Sequence, residues 1–210
     1  MSLSKRLFDI VWSLLGLVVL LPALLVIWLG ILTLDGRPAF FLQERVGFHG
    51  RVFRIYKFRT MVLGAHRLGQ SLTIGRDARV TRIGHWLRKY KLDELPQLFN
   101  VLRGEMSLVG PRPEVPKFVA LYSPEQRKVL ELVPGITDPA SIVFRDEAGL
   151  LVDCEDPERV YVERIMPEKI QLNLAYAAKS GVMADTGIIW WTLKAVCTNT
   201  TRDTQFNKPN

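Results

Sequence analysis

Residues Ile10–Leu34 read IVWSLLGLVVLLPALLVIWLGILTL, 25 positions without a charge. At about 1.5 Å rise per residue a straight helix of that length runs roughly 37 Å, enough to cross a bilayer. A buried core helix is rarely so long and so apolar, so the stretch is expected to enter a membrane. A cleaved signal peptide is disfavoured, because the run is too long and no small-x-small cleavage site follows it. Pro22, in the middle, has no amide to offer the carbonyl of Val18. Two outcomes follow: a kinked helix that spans, or a re-entrant helix–break–helix that returns to the face it entered. The flanks favour the hairpin. Lys5 and Arg6 precede the run, while Arg37, Arg45, Arg51 and Arg54 follow it, and positive residues on both sides hold both ends in the cytosol.

Outward from that stretch, 210 residues with 48% hydrophobic content can form a complete core without staples. Cys154 and Cys197 have neither disulfide-framework nor metal-ligand spacing, which excludes small secreted scaffolds and zinc ribbons. The net charge of +7 is uneven: residues 36–120 carry 16 basic and 6 acidic side chains, and residues 121–210 carry 10 and 13. A basic middle implies an anionic partner, whether nucleic acid, lipid head group or phosphorylated small molecule. Ile188, Ile189, Trp190, Trp191 and Leu193 near the far end are either a second membrane contact or part of the core.

The body is expected to be α+β and mostly helical. Gly47–Gly50 separates two β-prone runs, 39–46 and 51–61, and predicts a hairpin. Residues 63–78 read as a loop. Val80, Ile83, Trp86, Leu87 and Tyr90 recur at helical spacing. A new helix is expected to start with Asp93 as N-cap and Pro96 in its first turn, and to end at Gly104. Helical stretches are expected at 115–122, 124–133, 157–179 and 184–197, with a polar, frayed tail over 198–210.

Asp93 and Glu94 are adjacent acids at that helix start, with Arg88, Lys89 and Lys91 just before them. They suit plain capping, but also a site in which one acid holds a divalent cation while the other attacks phosphorus. Adjacent positions on a helix diverge by about 100°, which fits two separate jobs. Arg112 stands between Pro111 and Pro113, so its guanidinium rides on a stiff backbone suited to phosphate. Arg145 lies beside Asp146 and Glu147, where a local ion pair is the plain alternative. Gly-x-Gly-x-x-Gly, P-loop, Gly-x-Ser-x-Gly and His-Glu-x-x-His patterns are missing, and basic residues are not interleaved with aromatics as a single-strand binder requires.

The order of motifs resembles a family. Gln43-Glu44-Arg45-Val46-Gly47, Tyr56-Lys57-Phe58-Arg59-Thr60-Met61, Leu92-Asp93-Glu94-Leu95-Pro96-Gln97-Leu98-Phe99-Asn100, Gly104 through Pro113 and Pro134-Gly135-Ile136-Thr137 are similar to those of bacterial sugar transferases. These are the monotopic polyprenyl-phosphate phosphoglycosyl transferases. The resemblance implies a membrane-embedded re-entrant segment (1–36) with its break at Pro22, a catalytic domain (37–197) at the cytoplasmic face of the bacterial inner membrane, and the tail. It implies a two-step transfer. Asp93 would attack the β-phosphate of a UDP-sugar, releasing UMP. Polyprenyl (undecaprenyl) phosphate would then take the phosphosugar. Glu94 would bind Mg²⁺, and Arg88, Arg112 and Arg145 would meet phosphate. Nucleic acid is not among the implied partners. Two departures stand out: Leu21 precedes Pro22 where members often place Ser, and Asp138-Pro139 follows the Pro-Gly-Ile-Thr motif where many continue with Gly. The competing readings are a non-catalytic binder of anionic lipid or nucleic acid, and a phosphohydrolase in which water resolves an aspartyl intermediate.

Overall fold

The computed structural model describes residues 1–65, 74–75, 77–152 and 154–198. His66, most of the expected 63–78 loop and the tail beyond residue 198 lie outside the described residues.

The apolar run forms one helix, α1 (Leu3–Leu34), opened by the Ser2 side chain accepting the Lys5 amide and closed at Asp35. The break expected at Pro22 does not interrupt it, because the proline lies inside a continuous helix. Its φ is already helical, so only the one missing amide is lost while the turns on either side keep their bonds. Asp9, Ser13, Ile27 and Ile31 are its buried positions, and at 3.6 residues per turn they fall on one stripe. Only 11% of its most apolar stretch is buried, unlike a core helix.

A hairpin follows as expected: β1 (Phe40–Val46) pairs antiparallel with β2 (Val52–Phe58), from Phe40 opposite Phe58 to Val46 opposite Val52. Thr81 caps α2 (Arg82–Lys89), its hydroxyl accepting the Gly84 amide at 3.0 Å. The next element departs from expectation. Asp93 is not an N-cap; Lys91, at φ 55°, turns the chain into a 3₁₀ helix over Leu92–Gln97, and Asp93 and Glu94 occupy its first turn. Pro96 cannot donate to the Leu92 carbonyl, which favours the tighter winding at the start. The chain then continues as α3 (Leu98–Arg103) and stops at left-handed Gly104.

Beyond it come β3 (Ser107–Val109), α4 (Pro116–Val119), a 3₁₀ turn over Gln126–Glu131, β4 (Gly135–Thr137), α5 (Pro139–Val143), α6 (Glu147–Leu150) and α7 (Pro157–Val160). A π turn over Tyr161–Ile165 leads into α8 (Met166–Ala177), and α9 (Val182–Thr198) ends the described chain. The helices expected at 115–122 and 124–133 are thus reduced to short turns. The parallel pairing of β3 with β4 was not foreseen, since three-residue strands are too short to show alternation.

The main core gathers Phe118, Tyr161, Ile165, Met166 and Ile170. A second cluster packs Ile27 and Ile31 of α1 against Ala39, Phe58 and Leu87; burying each of the isoleucine, phenylalanine and leucine side chains contributes roughly 1.5–3 kcal/mol. The other end of α1 is held by polar contacts. Arg6 donates to the carbonyls of Val101 (2.6 Å) and Leu102 (2.9 Å). Lys5 donates to Val109 O (3.1 Å) and pairs with Asp185. Both ends of α1 therefore grip the same body. At the far end of the chain Trp190, Trp191 and Leu193 are exposed, Trp190 at 66%, so this cluster does not close the core.

Candidate active site

The site is built where the five quoted motifs meet. β2 is buried on both faces, Ile55 on one and Phe58 on the other, and the Lys57 side chain, on the face of Ile55, is only 14% exposed. The left-handed turn at Lys91 brings the next two acids to the same place. Asp93 and Glu94 are both buried. Left-handed backbone at a non-glycine residue is uncommon and clusters at functional sites.

The loop carrying Arg112 is fixed by a close backbone approach. A Cβ on Gly135 would lie 2.1 Å from Gly110 N, so only glycine allows the two chains to touch. Gly110 N–H donates to Thr137 O (3.0 Å), and Gly135 N–H donates to Pro111 O (2.9 Å). The Arg112 amide donates to Asp138 Oδ2 (2.7 Å), and Arg45 holds the next carbonyl, Pro113 O, at 3.1 Å. Asp138 is fully buried and also accepts from Asn173 Nδ2 (3.0 Å) and from the Ser141 amide. The departure noted at 138 thus ties the Arg112 loop to α5 and α8.

The electrostatics of the two acids differ. Arg112 places one guanidinium N–H on each oxygen of Glu94, at 2.8 Å to Oε2, and Lys57 Nζ donates to Oε1 at 3.2 Å. Burial would raise the Glu94 pKa, but Arg112 first and Lys57 second overcome it and hold the carboxyl well below the usual range. The Asp93 carboxyl is pushed up instead, by burial and then by the charge of Glu94, and its Oδ1 is buried without a hydrogen-bond partner. Burial likewise lowers Lys57 to about 8, with Glu94 opposing the shift. Arg112 is raised, chiefly by Glu94. An aspartate oxygen without a partner, beside several cations, has the chemistry of a nucleophile toward phosphorus.

Of the other expected residues, Arg88 belongs to this cluster: it donates to Thr60 Oγ1 at 2.9 Å, and burial lowers its pKa while Asp93 raises it. Arg145 lies on the wall of the same cavity of about 1500 Å³, but its guanidinium donates to the carbonyl of Ala195 on α9. The local ion pair weighed for it is not what the neighbours form: Asp146 caps α6 and Glu147 pairs with Lys169 at 2.7 Å. Sequence reasoning missed Lys57 and Asp138. The alternation of β2 put Lys57 on the same face as Ile55, and that was the available signal. Asp138 stood out only as the departure after the Pro-Gly-Ile-Thr motif, and its tie to the Arg112 amide, 26 residues away, leaves no local signal.

The comparisons with known proteins now bear on this geometry. Residues 1–199 match the family model described as bacterial sugar transferase. The chain belongs to that family. It is 41% identical over 200 residues to an undecaprenyl-phosphate glucose phosphotransferase of Komagataeibacter xylinus, covering 91% of this chain and 35% of that protein. It is 36% identical over 199 residues to a UDP-N-acetylgalactosamine–undecaprenyl-phosphate N-acetylgalactosaminephosphotransferase of Aeromonas hydrophila, covering 92% and 44%. An exopolysaccharide production protein of Sinorhizobium fredii is 33% identical over 211 residues, covering 93% and 86%. The chain thus spans less than half the length of the first two relatives. In this bacterial sugar transferase the quoted motifs converge on one pocket around Asp93 and Glu94, with the apolar helix packed alongside.

Proposed function

We propose that the chain transfers a phosphosugar from a UDP-sugar to undecaprenyl phosphate, a polyprenyl phosphate, through a covalent intermediate on Asp93. The observation that carries the reading is the buried Asp93 carboxylate with an unpartnered Oδ1, next to a Glu94 matched by two cations. An Asp93 oxygen attacks the β-phosphorus, the bond to the bridging oxygen breaks, and UMP leaves with that oxygen. An oxygen of the lipid phosphate then attacks the same phosphorus and Asp93 recovers its carboxylate. Arg112, Lys57 and Arg88 offset charge on the transferring group, and Arg145, which lines the same cavity, adds a further cation for the phosphates.

Magnesium fits the donor chemistry of the acid pair, both hard oxygen ligands. Among the described residues no cluster of three or more ligand side chains occurs, and Glu94 is the side chain that would hold the ion. When bound it supplies positive charge at the diphosphate.

The grip of one body on both ends of α1 supports an unbroken helix that lies along the domain, with both of its ends at the same face of the membrane. Crossing would carry Lys5 and Arg6 away from their partners. With the basic flanks this supports a catalytic domain at the cytoplasmic face of the inner membrane.

The test is UMP release from a panel of UDP-sugars with Mg²⁺ and undecaprenyl phosphate, beside Asp93→Ala. Lipid-dependent UMP from one sugar, lost in the variant, is expected. Full turnover without lipid would instead establish a hydrolase, and turnover retained by Asp93→Ala would sink the covalent mechanism.

A further inference from the structure

Both oxygens of Glu94 are taken. Arg112 bridges them with two N–H groups and Lys57 adds a third donor to Oε1. The three side chains are 10%, 28% and 14% exposed for Glu94, Arg112 and Lys57. A carboxylate offers about four lone-pair directions, so three donors leave little of it for an ion that needs short, hard oxygen contacts. Two positive charges so close, in a low-dielectric setting, also repel a third that is doubly charged. Yet a guanidinium and an ammonium are the groups a diphosphate draws to itself. The backbone permits such a move without rebuilding the loop. The Arg112 amide is anchored on Asp138 and the flanking prolines fix the chain, so the long side chain alone can swing.

We propose that Arg112 and Lys57 are exchange cations. They neutralise Glu94 until a diphosphate draws them onto its own oxygens, and Glu94 is thereby released to the metal. Metal and diphosphate then enter together, each tightening the other, and the tightening is reciprocal. The inference rests on the reading above that Glu94 holds the metal, and it assigns Lys57 a task no motif gave it.

The test is direct Mn²⁺ binding to the full chain in lipid nanodiscs, counted as protein-retained ion after ultrafiltration, with no nucleotide. Arg112→Gln is expected to bind Mn²⁺ about tenfold tighter than wild type, within the usual range of coupling between sites. Lys57→Met is expected to tighten it by a smaller factor, and Glu94→Gln to remove it. Inorganic pyrophosphate should raise wild-type retention of Mn²⁺ about tenfold and have less effect on Arg112→Gln. Circular dichroism checks folding, and Lys57→Met decides the matter if Arg112→Gln does not fold. Unchanged or weaker Mn²⁺ binding in the folded variants overturns the exchange, as does wild-type binding in Glu94→Gln. UMP release separates this from the functional reading. Turnover with unaltered Mn²⁺ affinities refutes the exchange alone, whereas tightened Mn²⁺ with no turnover on any nucleotide sugar refutes the transferase and leaves the exchange standing.

Discussion

Asp93 and Asp185 are both buried aspartates within reach of lysine, yet they are built on opposite plans. Asp185 is fully buried and has a partner on each oxygen, the Tyr176 hydroxyl on Oδ1 and Lys5 Nζ on Oδ2. Lys5 in turn reaches the Val109 carbonyl at 3.1 Å, so the cluster joins α1, α9 and β3. Asp93 keeps Oδ1 without a partner, while the cations beside it go to Glu94. A saturated carboxylate fastens elements together. One left short of partners keeps a lone pair for chemistry, at a cost in stability.

The sharpest way to break this contrast is Asp93→Asn. Its pKa is raised by burial and by Glu94, so the fold disfavours the ionised form, and at neutral pH that carboxylate destabilises the protein. The neutral amide should lower turnover by about a thousandfold or more, the usual scale for a lost nucleophile. Stability should hold or rise by about 0.5–2 kcal/mol. Paired kinetics and thermal melts check this, and a large fall in melting temperature would erase the distinction.

Asp185→Asn should do the reverse. It leaves the Lys5 ammonium, 15% exposed, without its counter-charge, and losing one partner of a buried pair costs about 3–5 kcal/mol. The denaturation midpoint should drop, while the turnover per folded molecule keeps its lipid and metal requirements.

The catalytic cluster should also carry a pH signature. Lys57 is lowered from its ordinary value to about 8, by burial against the pull of Glu94. It is therefore charged below about 8 and neutral above, so kcat/KM should fall as pH rises through that value. The stability effect has the opposite sign. The cost of burying the charge is full below pH 8 and is relieved as pH rises toward the unfolded value of 10.5. A pH profile of Lys57→Arg should lose the alkaline limb.

The mildest effect should come from Arg6→Ala at the edge of the structural cluster. Arg6 covers the last carbonyls of α3 at Val101 and Leu102, and its loss should cost about 1 kcal/mol with kcat unchanged. Urea titration would register it.

Local signals were enough to read the apolar run, the hairpin and the Gly104 stop, because each depends on neighbours within a few residues: an uncharged stretch, a Gly-bounded turn, a residue free to take positive φ. The acid pair and the arginines stood out for the same reason. Local signals misjudged Asp93 as a cap, since the winding of 92–97 answers to Lys91 and Pro96 and to packing on β2. They could not place the β3–β4 pairing, which needs Gly110 and Gly135 in contact across 24 intervening positions.

The sequence by itself determined that this chain carries an apolar membrane-seeking helix, a hairpin and two acids at a turn, set among cations that suit phosphate. Only the tertiary structure decided which cation meets which acid. Lys57 and Arg112 come from a strand and a loop that no periodicity relates, and their sharing of Glu94 leaves Asp93 with the unpartnered oxygen. Burial makes that division matter: in a low-dielectric pocket each missing or extra partner shifts a charge far more than it would in water.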